Sequence, residues 1–445
     1  MTKKKTIRDI RRQERGLLAQ MVMALAVLLM VLPLPSYAQN EEVSEDSIEA
    51  NIQLADSLLS DSLVVDSAMT ADVHLPWEER VRTDIDRLLE SKMFETSQAG
   101  IMVWDLDADS CIYRYRERQL MRPASIMKVV TAVTAIDKLG GSYLFKTLLK
   151  YTGKVEDGVL DGDIYCIGGM DPRFNSDDMT AFITSLKDLG VDSIAGAIYA
   201  DRTMKDANLL GKGWCWDDDN PTLSPLLFSG KDVFMDRFMS RLRDAGITYA
   251  APTYMEKQCP ESAFSLCTRF HTMDQILHRM MKESDNLYAE CMFYQIAASM
   301  GMRSATAKQA GSVMSQLVRK IGLDPSRYKF ADGSGLSLYN YVTAELECKL
   351  LRYAYQNENI FAQLNTSLPI AGVDGTLKKR MRSGPAHKNV RAKTGTLTGV
   401  ISLAGYCTAG NGHKLCFAII NNGIMHGSNA RNFQDKVCAV LCRQQ

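Results

Sequence analysis

The chain of 445 residues has room for two or three domains of roughly 150 residues, and 46% apolar against 23% charged is a globular balance. Lys and Arg total 52, as do Asp and Glu, so the formal net charge is zero and no global pull toward nucleic acid or an anionic membrane follows. The 11 cysteines form no CxxC pair, and the 6 histidines stand apart with no HExxH or zinc spacing, which argues against a metal centre. Cys291, Cys407, Cys416 and Cys438 lie in apolar runs and read as small buried hydrophobes, and the odd count leaves at least one free thiol.

Residues 1–16 are strongly basic, an apolar run from Leu17 to Leu32 follows, and small residues lead to Ala38. This is the pattern of an export signal, with cleavage expected after Ala38; an uncleaved N-terminal anchor is the alternative. Residues 39–75 are rich in Ser, Asp and Glu and hold no Lys or Arg, so they read as an acidic disordered linker. Order is expected from Pro76. Trp77 to Leu89 has helical spacing, and strands at 99–105 and 111–115 flank a turn at 107–110. An apolar helix runs from Ser125 to Leu139 and stops at Gly140-Gly141. Residues 149–265 alternate strands (162–168, 193–199) with helices (179–189, 233–245), as an inserted α/β domain would. From Arg269 the spacing predicts helix, broken at Ser284–Asn286 and resumed through Ile296. Strands follow from Val390, at 400–406 and at 414–421, with a hairpin turn at 410–412 and a closing helix at 431–442. The expected fold class is α+β, a domain of residues 76–148 and 266–445 enclosing the insert.

Chemistry enters at Ser125-Ile126-Met127-Lys128. On a helix, i and i+3 share a face, so the lysine amine reaches the serine hydroxyl. A serine needs a base to become a nucleophile, and a lysine serves only when neutral. Its proton must therefore be driven off by burial or by a like charge, which predicts a second lysine nearby. Such a motif is weak by itself: a second SxxK match stands at Ser326–Lys329, after Pro325 and without an apolar helix, and is discounted. Ser284-Asp285-Asn286 is the single S-x-N in the chain and interrupts an amphipathic helical stretch, so it should protrude as a turn. Lys393-Thr394-Gly395-Thr396 holds the single KTG, ahead of β-rich sequence. Lys393 supplies the like charge, and Gly395 lets a substrate backbone approach closely. Each motif alone reads better as a turn, cap or strand end. Together they stand in the order and contexts of penicillin-binding proteins and class A β-lactamases.

Further segments extend the match: Arg122 to Lys128, Ala331 to Ser337, Leu368 to Leu377, Ala392 to Thr396, and, in the insert, Gly162-Asp163 to Asp171-Pro172 and Gly213 to Asp218. From about residue 77 onward the chain closely resembles the penicillin-binding protein 4 family of D-Ala-D-Ala carboxypeptidases and endopeptidases. It departs from that family in the short link between Asp218 and the helix at Val233, where a further subdomain usually lies. The resemblance implies the antiparallel sheet with flanking helices and a helical subdomain of the serine β-lactamase and DD-peptidase fold. It implies Ser125 as nucleophile, Lys128 as base and Ser284 as proton relay. Asn286, Lys393, Thr394, Gly395 and Thr396 would bind substrate, with the amides of Ser125 and Thr396 as the oxyanion hole. It also implies peptidoglycan stem peptides as substrates, β-lactams as covalent inhibitors, no cofactor or metal, and export to the periplasm, peripheral to membrane or wall. Oligomeric state stays open. Asp332, Ser334 and Asp374 read as turn formers, and Trp214 and Trp216 as core or cleft residues. Two alternatives stand beside this reading. A β-lactamase would need a placed deacylating base, for which no ExxLN-like segment follows Asn286. A non-catalytic wall-binding protein would be expected to lack a motif member, and none is lacking.

Overall fold

The computed structural model describes residues 76–444 except 251, 302 and 303, so the expected signal (1–38) and linker (39–75) lie outside the described residues. Helix α1 (Trp77–Leu89) buries Val81 and Ile85, four apart on one face. Strands β1 (Gln98–Asp105) and β2 (Ser110–Tyr115) form a hairpin, its turn fixed by Asp105, whose carboxylate accepts from the amides of Asp107 and Ala108. A 3-10 turn (Ala124–Ile126) leads into α2 (Met127–Leu139). Ser125 therefore sits in a tight turn ahead of the α-helix rather than inside it.

The chain continues through β3 (Leu144–Tyr151), β4 (Lys154–Glu156), β5 (Val159–Asp161), β6 (Ile164–Ile167) and α3 (Ser176–Asp188). After these come β7 (Ser193–Ile194), β8 (Ile198–Asp201), α4 (Phe234–Asp244), β9 (Thr248–Tyr249), β10 (Met255–Glu256) and β11 (Phe264–Thr272). They build a mixed sheet of order β10-β8-β6-β3-β11 and a smaller one of order β4-β5-β7-β9. Both sheets and helices α3 and α4 close on a core of their own around Phe174, Phe182, Phe234 and Phe238. The segment 193–199, expected as one strand, is two strands in different sheets. Gly196 marks the break, where a Cβ would stand 2.3 Å from the Gly162 carbonyl.

The helix expected from Arg269 begins only at Met273. Arg269 to Thr272 extend β11 and pair with Thr147 to Leu144. A capping box then starts α5 (Met273–Lys282): the Thr272 hydroxyl accepts from the Gln275 amide and the Gln275 side chain accepts from the Thr272 amide. Cross-strand pairing and that cap override the helical spacing upstream. Next come α6 (Asn286–Ala298), α7 (Ala307–Lys320), α8 (Ala344–Tyr355) and α9 (Glu358–Ser367). Of these, α7, α8 and α9 go beyond the elements expected from the sequence. Strands β12 (Arg391–Leu397), β13 (Val400–Thr408) and β14 (Lys414–Asn422), then α10 (Gly427–Cys442), complete the chain.

The main sheet is antiparallel throughout, in the order β12-β13-β14-β1-β2. Period-two alternation decides its layers. Ile101, Val103, Phe417 and Ile419 face a core shared with α1 and α10. Met102, Ala418 and Ile420 face the larger core that holds α2, α5, α6 and α8. Helix α6 is buried all round from Leu287 to Ala297, with Glu290 and Gln295 as its polar exceptions. The fold is thus α+β, a helical layer and an antiparallel sheet with two mixed sheets added.

Candidate active site

The three motifs converge where the start of α2, the start of α6 and strand β12 meet. Lys128, on the first turn of α2, has no exposed surface. Its Nζ lies 2.9 Å from Ser125 Oγ, 2.7 Å from Asn286 Oδ1 and 2.8 Å from the Ser334 carbonyl oxygen. Burial draws this amine down to about 8 from 10.5, while Asp332, Glu290 and Asp285 pull the other way. The expected like charge is present beside it. Burial and the charge of Lys128 together hold the equally buried Lys393 well below the ordinary lysine range. Lys393 Nζ donates to Ser284 Oγ at 2.8 Å and to the Thr394 carbonyl at 2.7 Å.

Each side chain is positioned by local chemistry. Ser284 takes φ of +61° in the break between α5 and α6, a left-handed conformation that a non-glycine residue adopts at a cost of about 1–2 kcal/mol. Asp285 caps α6 by accepting from the Tyr288 amide and is held by Arg279 Nε at 2.9 Å. The segment leading to Ser125 is anchored to the sheet. Asn422 exchanges hydrogen bonds with the backbone of Arg122 at 3.0 and 3.1 Å, and Ser402 Oγ donates to the Pro123 carbonyl at 2.5 Å. Within the fold Gly395 has a reason of its own to be glycine. A Cβ there would stand 2.1 Å from Ser402 Oγ and 3.0 Å from Ser125 N, so β12 presses on the nucleophile's own turn. Thr394 Oγ1 donates to Thr376 Oγ1 at 2.7 Å, and Thr396 is exposed.

Several of these residues carried no function in the sequence reading: Asn422, Ser402, Thr376 and, above all, Glu290. The last is a lone carboxylate in an apolar helix, one turn beyond Asn286, and that isolation is the signal that could have found it. Asp332 is a turn former as expected, accepting from the Gly335 and Ser337 amides, and it also accepts from Trp214 Nε1 at 2.9 Å. The loop carrying Trp214 is thereby tied to the loop that carries Ser334, while Trp216 stands 94% exposed. Asp374 likewise serves a turn, accepting from the Ile370 amide and pairing with Lys282. The discounted motif is far less organised: Ser326 Oγ donates to Asp324, and Lys329 lies over the Tyr339 ring.

A serine hydrogen-bonded to a buried lysine, a second serine–lysine pair close by and a strand carrying two threonines are the arrangement of a serine acyl-transfer enzyme of the Ser-x-x-Lys kind. Residues 81–227 and 227–444 match the D-Ala-D-Ala carboxypeptidase 3 (S13) family. The chain belongs to this family of serine D-Ala-D-Ala carboxypeptidases. A D-alanyl-D-alanine carboxypeptidase of an Actinomadura species is 27% identical over 82% of this chain and 85% of its own length. Penicillin binding protein 4 from Haemophilus influenzae superposes with a TM-score of 0.75 at 25% identity, covering 81% of this chain and 99% of that one. The same Haemophilus protein complexed with a β-lactam superposes with a TM-score of 0.69 at 26% identity, over 81% of this chain and 99% of that one.

Proposed function

We propose that the carboxypeptidase reaction runs through an acyl-enzyme on Ser125, formed with peptidoglycan stem peptides ending in D-Ala-D-Ala and, as a dead end, with β-lactams. The observation that carries this is the cradle of Lys128. A neutral amine has two hydrogens to donate and one lone pair. Asn286 Oδ1 and the Ser334 carbonyl can only accept, so both hydrogens go there and the lone pair faces the Ser125 hydroxyl.

From that neutral form, which gains ground as pH rises through about 8, the steps follow. Lys128 takes the hydroxyl proton as Ser125 Oγ attacks the penultimate D-Ala carbonyl. The amides of Ser125 and Thr396 receive the developing oxyanion. Ser284, hydrogen-bonded to Lys393, relays the proton that Lys128 took on to the departing amine, so Lys128 is neutral again for the water step. Lys393 with Thr394 and Thr396 holds the terminal carboxylate, the Thr394 hydroxyl turning its one hydrogen from Thr376 to the substrate. Water then cleaves the ester and frees Ser125.

Action on cross-links as an endopeptidase uses the same chemistry with a larger leaving group, and solved endopeptidases share the fold. A periplasmic setting fits the basic and apolar N-terminus and a peptidoglycan substrate. The test is acylation of residues 39–445 by a fluorescent penicillin. A covalent adduct lost in Ser125→Ala and kept in Ser326→Ala supports the assignment. An adduct that survives Ser125→Ala removes it.

A further inference from the structure

Glu290 is buried to 1% exposure, and its Oε1 accepts two backbone amides, from Gly333 at 3.0 Å and Ser334 at 2.8 Å. It lies four residues beyond Asn286 on α6, hence on the same face one turn along. One helix face therefore presents two acceptors in succession. The first, Asn286 Oδ1, takes a hydrogen of Lys128, and the second holds the loop whose Ser334 carbonyl takes the other.

That loop is wedged tightly. A Cβ on Gly333 would stand 2.5 Å from Phe293 Cβ, and one on Gly335 would stand 1.9 Å from the Ala124 carbonyl, beside the nucleophile. The Gly333 carbonyl accepts from Thr131 Oγ1 at 2.6 Å, and the Gly335 amide donates to Asp332 at 2.8 Å. Asp332 thus holds the loop from its far side, and α2 holds it from below. The two consecutive amides that precede the Ser334 carbonyl are held by Glu290 alone among the described residues. Without that acceptor both would be buried and unpaired, and the loop would move to satisfy them.

We propose that Glu290 is a positioning residue for acylation: by holding the Gly333 and Ser334 amides it places the Ser334 carbonyl that aims the Lys128 lone pair at Ser125. This rests on the reading of Ser125 as the acylated nucleophile. The role belongs to an acceptor oxygen at the right reach and does not require a negative charge. Glutamine offers the same oxygen at the same reach, whereas aspartate keeps the charge but falls one methylene short.

The experiment compares acylation rates by a fluorescent penicillin for the wild type, Glu290→Gln, Glu290→Asp and Glu290→Ala in the full chain, with melting temperature as the folding control. Glu290→Gln is expected within about threefold of wild type. Glu290→Asp and Glu290→Ala are expected to lose about 100-fold, the scale of loss from a misplacement of about 1 Å. If Glu290→Ala does not fold, the Gln and Asp pair still decides. Aspartate active with glutamine impaired overturns the proposal, and so does a folded Glu290→Ala at the wild-type rate. A wild type with no Ser125 adduct sinks the parent reading, whereas a normal wild-type adduct matched by Glu290→Ala sinks only this one.

Discussion

Lys128 can act as a base only after losing a proton, and burial has brought that step within reach of neutral pH. Acylation should therefore rise with pH along a limb centred at about 8, measured as the second-order rate of penicillin adduct formation. The sign follows from the direction of the shift. The amine is protonated and inert below that value and competent above it, whereas an exposed lysine would place the limb near 10.5. Removing the base in Lys128→Ala should cost about 100- to 10,000-fold in that rate while the fold persists. These residues were legible in the sequence because SxxK, SDN and KTG spacing survives any detail of packing. Glu290, Ser402 and Asn422 were not, since their partners are backbone groups that lie 43, 279 and 300 positions away in the chain.

At the scale of elements, the start of α6 is the most consequential boundary. Asp285 caps it, and the cap fixes both Ser284 and Asn286 on either side. Asp285→Ala should lower stability by about 1 kcal/mol in chemical denaturation, the usual value of an N-cap. It should also slow acylation, because the serine and amide would no longer be held against Lys393 and Lys128. Thr272→Ala removes a capping box of similar worth from α5, and its effect should appear in stability with little change in rate. Periodicity located α1, α2, β13 and β14 to within a few residues. It misread Arg269 to Thr272 because four residues of amphipathic spacing suit helix and half-buried strand alike. What settled the matter was the pairing with β3, a contact between distant segments.

For the molecule as a whole, burial of ionisable groups sets how stability changes with pH. Glu347 in α8 has no exposed surface, and neither of its carboxylate oxygens has a hydrogen-bond partner. Burial pushes its carboxyl well above the ordinary 4.5. The folded chain thus keeps a proton that the unfolded chain releases, so this group's contribution is lost as pH rises above 4.5. Glu347→Gln should raise the melting temperature at neutral pH, and the gain should shrink as pH falls toward 4.5, as thermal melts across pH would show. A gain independent of pH would contradict the account.

The reaction class, the order of the motifs and the α+β character were readable in the chain alone, because each depends on residue type and spacing along a few turns. Only the tertiary structure decided that Lys128 is stripped of solvent, that Lys393 faces Ser284, and that the Ser334 loop completes the cradle. Those outcomes depend on burial and on backbone groups, which carry no residue-specific mark in a sequence. The same holds for Gly395: its spacing announced a close approach, and the fold showed that the approach is to Ser125's own turn.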